Sequence, residues 1–204
     1  MVRIHCLLHL LYESATLLTS PSRGQTVMTS ESFEEMLAGG HPNSLGRTIE
    51  VVDIVLSNSA RLSDLYNCYF SVDEIVRLRT SNAIKRISLE NPEWLVPYID
   101  KLISEISMIN QPSAQWTLAN LFQTLSVFMS ETQKASAKKI LQDNLENYTD
   151  WIVLNNTMDT LSKWAMNDSA LKEWLLPHLE RLARDPRKSV AGRAMKIKTA
   201  LMRA

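Results

Sequence analysis

Apolar residues recur at intervals of three and four along most of this chain, the spacing that places side chains on one face of an α-helix. Val190, Ala194 and Ile197 show it after the turn at Asp185-Pro186, and a second apolar stripe precedes that turn. The pattern there predicts a helical hairpin. The same criterion predicts helices over residues 31–38, 44–57, 60–69, 72–90, 93–109, 112–128, 132–146, 149–166, 168–184 and 187–203.

The placement of glycine and proline supports an all-helical chain. No glycine lies between Arg47 and Ala191, so this span lacks the residue on which tight β-hairpin turns and phosphate-binding loops depend. Pro92, Pro112 and Pro186 stand at predicted helix boundaries, where proline is tolerated. The sequence therefore predicts helices joined by turns without glycine.

The second helices of successive hairpins repeat at a nearly constant distance. Val76, Ala114, Val153 and Val190 are separated by 38, 39 and 37 residues. A period near 40 that contains two helices is typical of a helical solenoid, in which each hairpin buries its apolar face on its neighbours. We expect the residues of this series to form the core: Val76, Thr80, Ala83, Ala114, Leu118, Leu121, Val153, Thr157, Thr160, Val190, Ala194 and Ile197.

Several residues of these hairpins match a known repeat pattern: Asp185-Pro186 with Val190 and Ala194, Asp73 with Val76-Arg77 and Ala83-Ile84, and Pro97 and Pro177 in first helices. Residues 44–204 resemble the HEAT-repeat family, which is close to armadillo-type repeats. The resemblance implies an all-α, right-handed superhelix of about four helical hairpins, with the second helices on the concave face. The third repeat departs from the pattern, because Thr157 and Thr160 replace small apolar residues.

The N-terminal residues do not continue the helical pattern. A run rich in Ser, Pro, Gly and Thr separates them from it, so we predict a disordered or spurious leader over residues 1–28 and a single repeat domain over 29–204. Met28 as the true start and a mobile amphipathic leader explain the pattern equally well.

Cysteine content and hydropathy predict a cytoplasmic protein. The two cysteines, Cys6 and Cys68, are too few for a disulfide framework and fit a reducing compartment. No apolar run approaches the ~20 residues that a membrane-spanning helix needs. We therefore expect no membrane partner.

The charges balance overall but not locally. The chain has 22 basic and 22 acidic residues, which argues against bulk attraction to nucleic acid. Residues 167–204 nevertheless contain nine Lys and Arg against four Asp and Glu. The C-terminal repeat is the basic end, and its candidate patch for phosphate or for an acidic partner is Arg187, Lys188, Arg193, Lys196 and Lys198.

Helical geometry predicts which residues face a partner. Residues one, five and nine positions after each Val76-type residue point away from the core, and nearby tryptophans join them. The predicted partner-binding stripe is Arg77, Ser81, Lys85, Gln115, Trp116, Gln123, Trp151, Leu154, Met158 and Met195. It favours a non-enzymatic adaptor or scaffold that binds a protein or peptide on its concave face. The competing interpretation is that these Met and aromatic residues pack against neighbouring helices, with the register shifted by one residue.

A second hypothesis is nucleic-acid binding, since the chain broadly looks like the HEAT-like DNA glycosylases of alkylation repair. That resemblance implies base contacts from Trp116 and Trp151, an acid at Asp150 or Asp159, and phosphate contacts from the basic C-terminal repeat. No catalytic constellation supports it. We expect neither a metal nor a cofactor.

Overall fold

Ten α-helices and five short 3-10 segments build residues 31–203, the part of the chain that the computed structural model describes. No β-strand occurs in that range, and the predicted leader, residues 1–28, lies outside it. The helices are α1 (Phe33–Leu37), α2 (Thr48–Ser57), α3 (Leu62–Asn67), α4 (Glu74–Glu90), α5 (Ile99–Ser104), α6 (Pro112–Leu125), α7 (Glu131–Asn147), α8 (Trp151–Ala165), α9 (Ser169–Leu182) and α10 (Lys188–Arg203). The all-α prediction is confirmed.

Side-chain caps determine where the long helices begin. Ser130 accepts a hydrogen bond from the Gln133 amide at 3.2 Å, and the Gln133 side chain accepts one from the Ser130 amide at 2.9 Å. Asp73, Asp150 and Asp168 cap α4, α8 and α9 by accepting hydrogen bonds from main-chain amides of the first turn, without the reciprocal bond. These caps satisfy amide groups that have no partner inside the helix.

The predicted helix over residues 93–109 is wrong, because the structure divides this segment into three shorter pieces. The chain instead forms a 3-10 segment over Pro92–Tyr98, then α5, then a second 3-10 turn over Ile106–Met108. Pro97 lacks an N–H group and its ring obstructs the preceding turn, which disfavours a regular α-helix in this segment, although α9 continues through Pro177. The apolar periodicity survives because 3-10 and α turns place side chains on similar faces.

The second helices of the hairpins pack in a row. Helix α4 contacts α2 and α6, α6 contacts α8, and α8 contacts α10. All twelve residues of the predicted core series are buried, so that prediction is confirmed. In the third repeat the Thr160 hydroxyl donates to the Ala119 carbonyl at 2.8 Å, which satisfies a polar group where the pattern calls for an apolar one.

Hydrogen bonds between successive turns show that the helices of this row run in the same direction. Each bond joins the N-terminal end of one second helix to that of the next: Arg77 to Gln111 (2.6 Å), Gln111 to the Glu74 carbonyl (3.0 Å), Tyr148 to Asn110 (3.1 Å) and Arg187 to the Thr149 carbonyl. The C-terminal ends of these helices consequently lie on the opposite edge of the row.

A buried arginine fixes the segment before α2. Arg79 is only 3% exposed, and its guanidinium donates to the carbonyls of Leu37 (2.7 Å), Gly39 (2.7 Å) and Ser44 (3.1 Å). Gly46 has a φ of 51° and a Cβ there would lie 2.8 Å from the guanidinium carbon. This arrangement holds the chain out of a helix until Thr48, four residues after the predicted start.

Ala194→Glu should destabilise the protein strongly. Ala194 is fully buried where α10 meets its neighbours, and an unpaired charge there costs about 3 to 5 kcal/mol. Ala200→Glu is the matched control, because Ala200 is exposed on the same helix. Urea denaturation followed by circular dichroism measures both, and equal stability of the two variants would contradict the packing described here.

Arg79→Lys should lower the free energy of unfolding by about 2 kcal/mol or more, because a lysine cannot satisfy several carbonyls with one planar group. Arg86→Lys is the control on the same helix. Arg86 is exposed and hydrogen-bonds only Asn82 among the described residues, so its replacement should change the stability by less than about 0.5 kcal/mol. Similar denaturation midpoints for the two variants would show that the carbonyl contacts contribute little.

Candidate functional site: a groove between α8 and α10

An open groove of about 530 Å³ lies between α8 and α10. Trp151, Asn155 and Asp159 line it on α8, and Arg193 and Lys196 line it on α10. We call this the α8–α10 groove. The three α8 residues are four positions apart, so they stand above one another on one helix face at steps of about 6 Å.

Three of the six α10 residues that line the groove are small: Ser189, Gly192 and Ala200. A Cβ added at Gly192 would meet no atom within 4 Å. A glycine inside a helix costs roughly 1 kcal/mol relative to alanine. At Gly192 this cost accompanies open space beside the helix.

Trp151 forms the N-terminal end of the groove. It is the first residue of α8, directly after the capping Asp150, and its side chain remains 48% exposed. A large aromatic ring that is half exposed beside a groove provides apolar contact area at a low entropic cost.

The charges in the groove are partly compensated. Arg193 forms an ion pair with Asp159, and that hydrogen bond raises the pKa of the Arg193 guanidinium. Lys196 is exposed and forms no ion pair within residues 31–203. The groove therefore has one uncompensated positive charge among the described residues.

Asn155, in the middle of the groove wall, has an unsatisfied side chain. The residue is 7% exposed, and its Oδ1 is buried without a hydrogen-bond partner among the described residues. A buried acceptor in this state costs about 1 to 3 kcal/mol. The state is not confined to the groove, because side-chain oxygens of Tyr69, Thr80, Ser81, Thr117 and Thr157 are also buried without a partner among the described residues.

Four residues of the predicted partner-binding stripe do not face a partner. Ser81, Gln115, Leu154 and Met158 are at most 2% exposed, so the prediction that they line an open face is wrong. They fall between adjacent second helices instead. Gln115 also has a structural role, donating to the Ser107 and Ile109 carbonyls and accepting from Asn144 at 3.0 Å.

The other stripe residues are accessible to different degrees. Arg77, Lys85, Trp116 and Gln123 are half-buried, and Arg77 is occupied by its bonds to Gln111 and to the Ser71 carbonyl. Met195 is 53% exposed on α10 but lies outside the α8–α10 groove. Of the ten predicted residues, Trp151 is the one that lines this groove.

In α4, α6 and α8 the error is a rotation of about one residue. The residue six positions after each Val76-type residue is partly exposed there, about 100° from the predicted face. A polar signal marks this position, because it is polar in all four second helices: Asn82, Asn120, Asp159 and Lys196. Comparing the polarity of neighbouring positions across the repeats would have identified this face.

The predicted basic patch is largely neutralised. Arg187 binds Asp185 with two hydrogen bonds of 2.8 and 2.6 Å, which hold the pKa of Asp185 at about 2, below its ordinary value. Arg193 pairs with Asp159, and Lys198 lies 3.7 Å from Glu180. Within residues 31–203, Lys188 and Lys196 are the patch members without an ion pair.

The two candidate acids of the nucleic-acid hypothesis have structural partners. Asp150 accepts from the Ile152 and Val153 amides as the cap of α8, and Asp159 pairs with Arg193. Residues 31–203 contain no group of three or more His, Cys, Asp or Glu side chains that could hold a metal ion. Every helix in that range is too short or too polar to cross a bilayer.

A second groove of about 640 Å³ lies where α6 and α8 end and α7 and α9 begin. Two of its three lysines, Lys134 and Lys138, pair with Glu131 and Asp168, while Lys163 is exposed without an ion pair among the described residues. No buried unsatisfied polar atom among the described residues belongs to its lining. The α8–α10 groove is the stronger candidate site for that reason.

Comparisons with protein-family models, with curated proteins and with solved structures find no match to this chain.

Asn155→Leu should stabilise the free protein. Leucine has a similar shape and removes the unsatisfied acceptor, so we expect the free energy of unfolding to rise by about 1 kcal/mol. Asn144→Leu is the control, because the Asn144 side chain is buried and donates to Gln115, and its replacement should destabilise. Thermal denaturation by circular dichroism measures both, and a clear loss of stability in Asn155→Leu would show that its amide has a structural partner.

Proposed function

We propose that this chain is a non-enzymatic adaptor or scaffold that binds a segment of a partner protein in the α8–α10 groove. The observation that carries the proposal is Trp151, a large aromatic side chain that stays 48% exposed at one end of an open groove. Tryptophan is enriched at sites that bind other proteins, because its ring buries a large apolar area on contact.

We propose further that the helices form a right-handed, HEAT-like superhelix of about four hairpins. The period of 37 to 39 residues, the buried core series and the row of parallel second helices support this architecture. In such a stack the second helices share one face. The α8–α10 groove belongs to that face.

The adaptor is proposed to act in the cytoplasm. Cys68 is a free, buried thiol within the described residues, and burial raises its pKa to about 11. A thiol that stays protonated and covered is stable in a reducing compartment and takes part in no exchange chemistry.

Nucleic-acid binding is the weaker alternative. Three of the five patch cations are paired with carboxylates, and a phosphate would have to displace Asp159 or approach it closely. Affinity for nucleic acid comes mainly from free Lys and Arg side chains that neutralise phosphates. Cations that are already paired with carboxylates contribute less to it.

Selection of a phage-displayed library of random nonapeptides on the full chain tests the proposed function. We expect enrichment on the wild type and at least a tenfold loss of bound phage with Gly192→Gln, whose side chain would extend into the groove without meeting a neighbouring atom at its Cβ. Thr199→Gln is the control, since Thr199 is exposed on α10 outside the groove.

Equal enrichment on wild type and Gly192→Gln, or no enrichment at all, would overturn the adaptor proposal. Fluorescence anisotropy with labelled single-stranded DNA and labelled duplex DNA tests the nucleic-acid alternative. Binding of either that is lost with Lys196→Glu would favour the nucleic-acid alternative.

A further inference from the structure

We infer that the side of α10 turned away from α8 is a second binding surface, and that it binds an amphipathic α-helix of a partner protein with an acidic residue in its apolar stripe. Four residues on one line along α10 define the surface: Ala191, Met195, Lys198 and Met202. We call this line the α10 seam. None of its residues lines the α8–α10 groove, so the inference goes beyond the proposed function and does not depend on it.

The equivalent line on each preceding second helix is covered by the next helix of the row. The seam lies one, five, eight and twelve positions after Val190, and the same steps on α4, α6 and α8 give twelve residues, of which ten are buried. The Thr160 hydroxyl of α8 donates to the Ala119 carbonyl of α6 at 2.8 Å. Because Ala119 lies on the equivalent line, this bond shows that the line faces the next second helix.

On α10 the same line is open. Met195 is 53% exposed and Met202 68% exposed, whereas their equivalents on α8, Met158 and Ala165, are 0% and 1% exposed. Among the described residues, α10 packs chiefly against α8 and α9. The terminal helices of stacked hairpins normally carry a polar outer face. Two exposed methionines depart from that rule, and methionine is a residue that adapts well to the surface of a partner.

The geometry of the seam specifies an α-helix as the occupant. Its residues are spaced by four, three and four positions, which is the spacing of the seam between two packed helices. An α-helix packs against α4, α6 and α8 on the equivalent side. From Ala191 to Met202 the seam rises by about 16 Å, so it accommodates about three turns of a partner helix.

The charges beside the seam favour an acidic residue in the partner helix. Lys198 lies between Met195 and Met202, and it shares the Glu180 carboxylate with Arg184, at distances of 3.7 and 3.5 Å. One carboxylate between two cations leaves a positive charge uncompensated. An Asp or Glu opposite Lys198 therefore gains an attraction, whereas a Lys or Arg there is repelled.

A second copy of this chain is a less favourable occupant than an acidic helix. Residues 167–204 contain nine Lys and Arg against four Asp and Glu. Two α10 seams that face each other would bring two basic ends together, and like charges across an interface oppose association. The same excess of positive charge attracts a helix with acidic residues.

Selection of phage-displayed helical peptides on the full chain tests the inference. Each peptide has about fifteen residues, enough to form a helix on contact, and the positions of one helix face are randomised. On the wild type we expect enriched peptides with apolar residues on that face and Asp or Glu between them. Met195→Glu and Met202→Glu should each lower the bound phage at least tenfold, because each places a charge in the apolar contact.

Met108→Glu is the matched control for these variants. Met108 is 79% exposed on the turn before α6, so the same change of side chain is made outside the seam, and this variant should bind like the wild type. Lys198→Glu should select Lys or Arg in place of the acidic residue. Circular dichroism should show wild-type helix content for both seam variants, because both methionines are exposed in the free protein.

Several results would overturn the inference. Equal enrichment on wild type and on both seam variants, or no enrichment at all, would show that the seam binds no helix. Enrichment without Asp or Glu would contradict the acidic preference. Unfolding of both seam variants would show that the seam is covered within the chain. Self-association of the full chain in analytical ultracentrifugation that Met195→Glu abolishes would identify a second copy as the occupant.

Discussion

The structure depends on the burial of one face of each second helix against its neighbours. Val76, Ala114, Val153 and Val190 mark this face, and all four are fully buried. A single hairpin has too little apolar surface to compensate for the conformational entropy lost on ordering it. The row of α4, α6, α8 and α10 solves this by sharing each buried face between two helices, so the core extends from Phe33 to Leu201 without interruption.

Apolar burial alone does not fix how these helices are rotated or aligned, because contacts between apolar side chains are not directional. Directional bonds at the turns add that information. Gln111 links α6 to α4 through two partners, and Arg187 links α10 to the turn before α8. Arg79 has the same role near α2, where it holds main-chain carbonyls that would otherwise lack partners.

The α8–α10 groove is a local exception to close packing. Gly192 leaves space where a larger side chain would extend over α8, Trp151 stays half exposed, and Asn155 keeps a buried oxygen unpaired. These features lower the stability of the free protein and lie on the same groove, although side-chain oxygens of Tyr69, Thr80, Ser81, Thr117 and Thr157 are also buried and unpaired elsewhere in the described residues. Natural proteins tolerate such costs mainly at sites of function, which is why the proposed binding site is placed there.

The sequence by itself determined the ten helical segments of residues 31–203 and the buried core series, because helix formation and core burial follow from local spacing and turn residues. It missed the break at Pro97 within the predicted 93–109 helix, where apolar spacing continued across a change of helix type. It also placed the partner-binding stripe one residue too early, so Ser81, Gln115, Leu154 and Met158 are buried.

Only the tertiary structure decided which side of each core residue a neighbouring helix covers. That choice depends on how helices that are far apart in sequence are rotated against each other. The pairing of Arg193 with Asp159 arose in the same way, from a contact across 34 residues that no local pattern encodes.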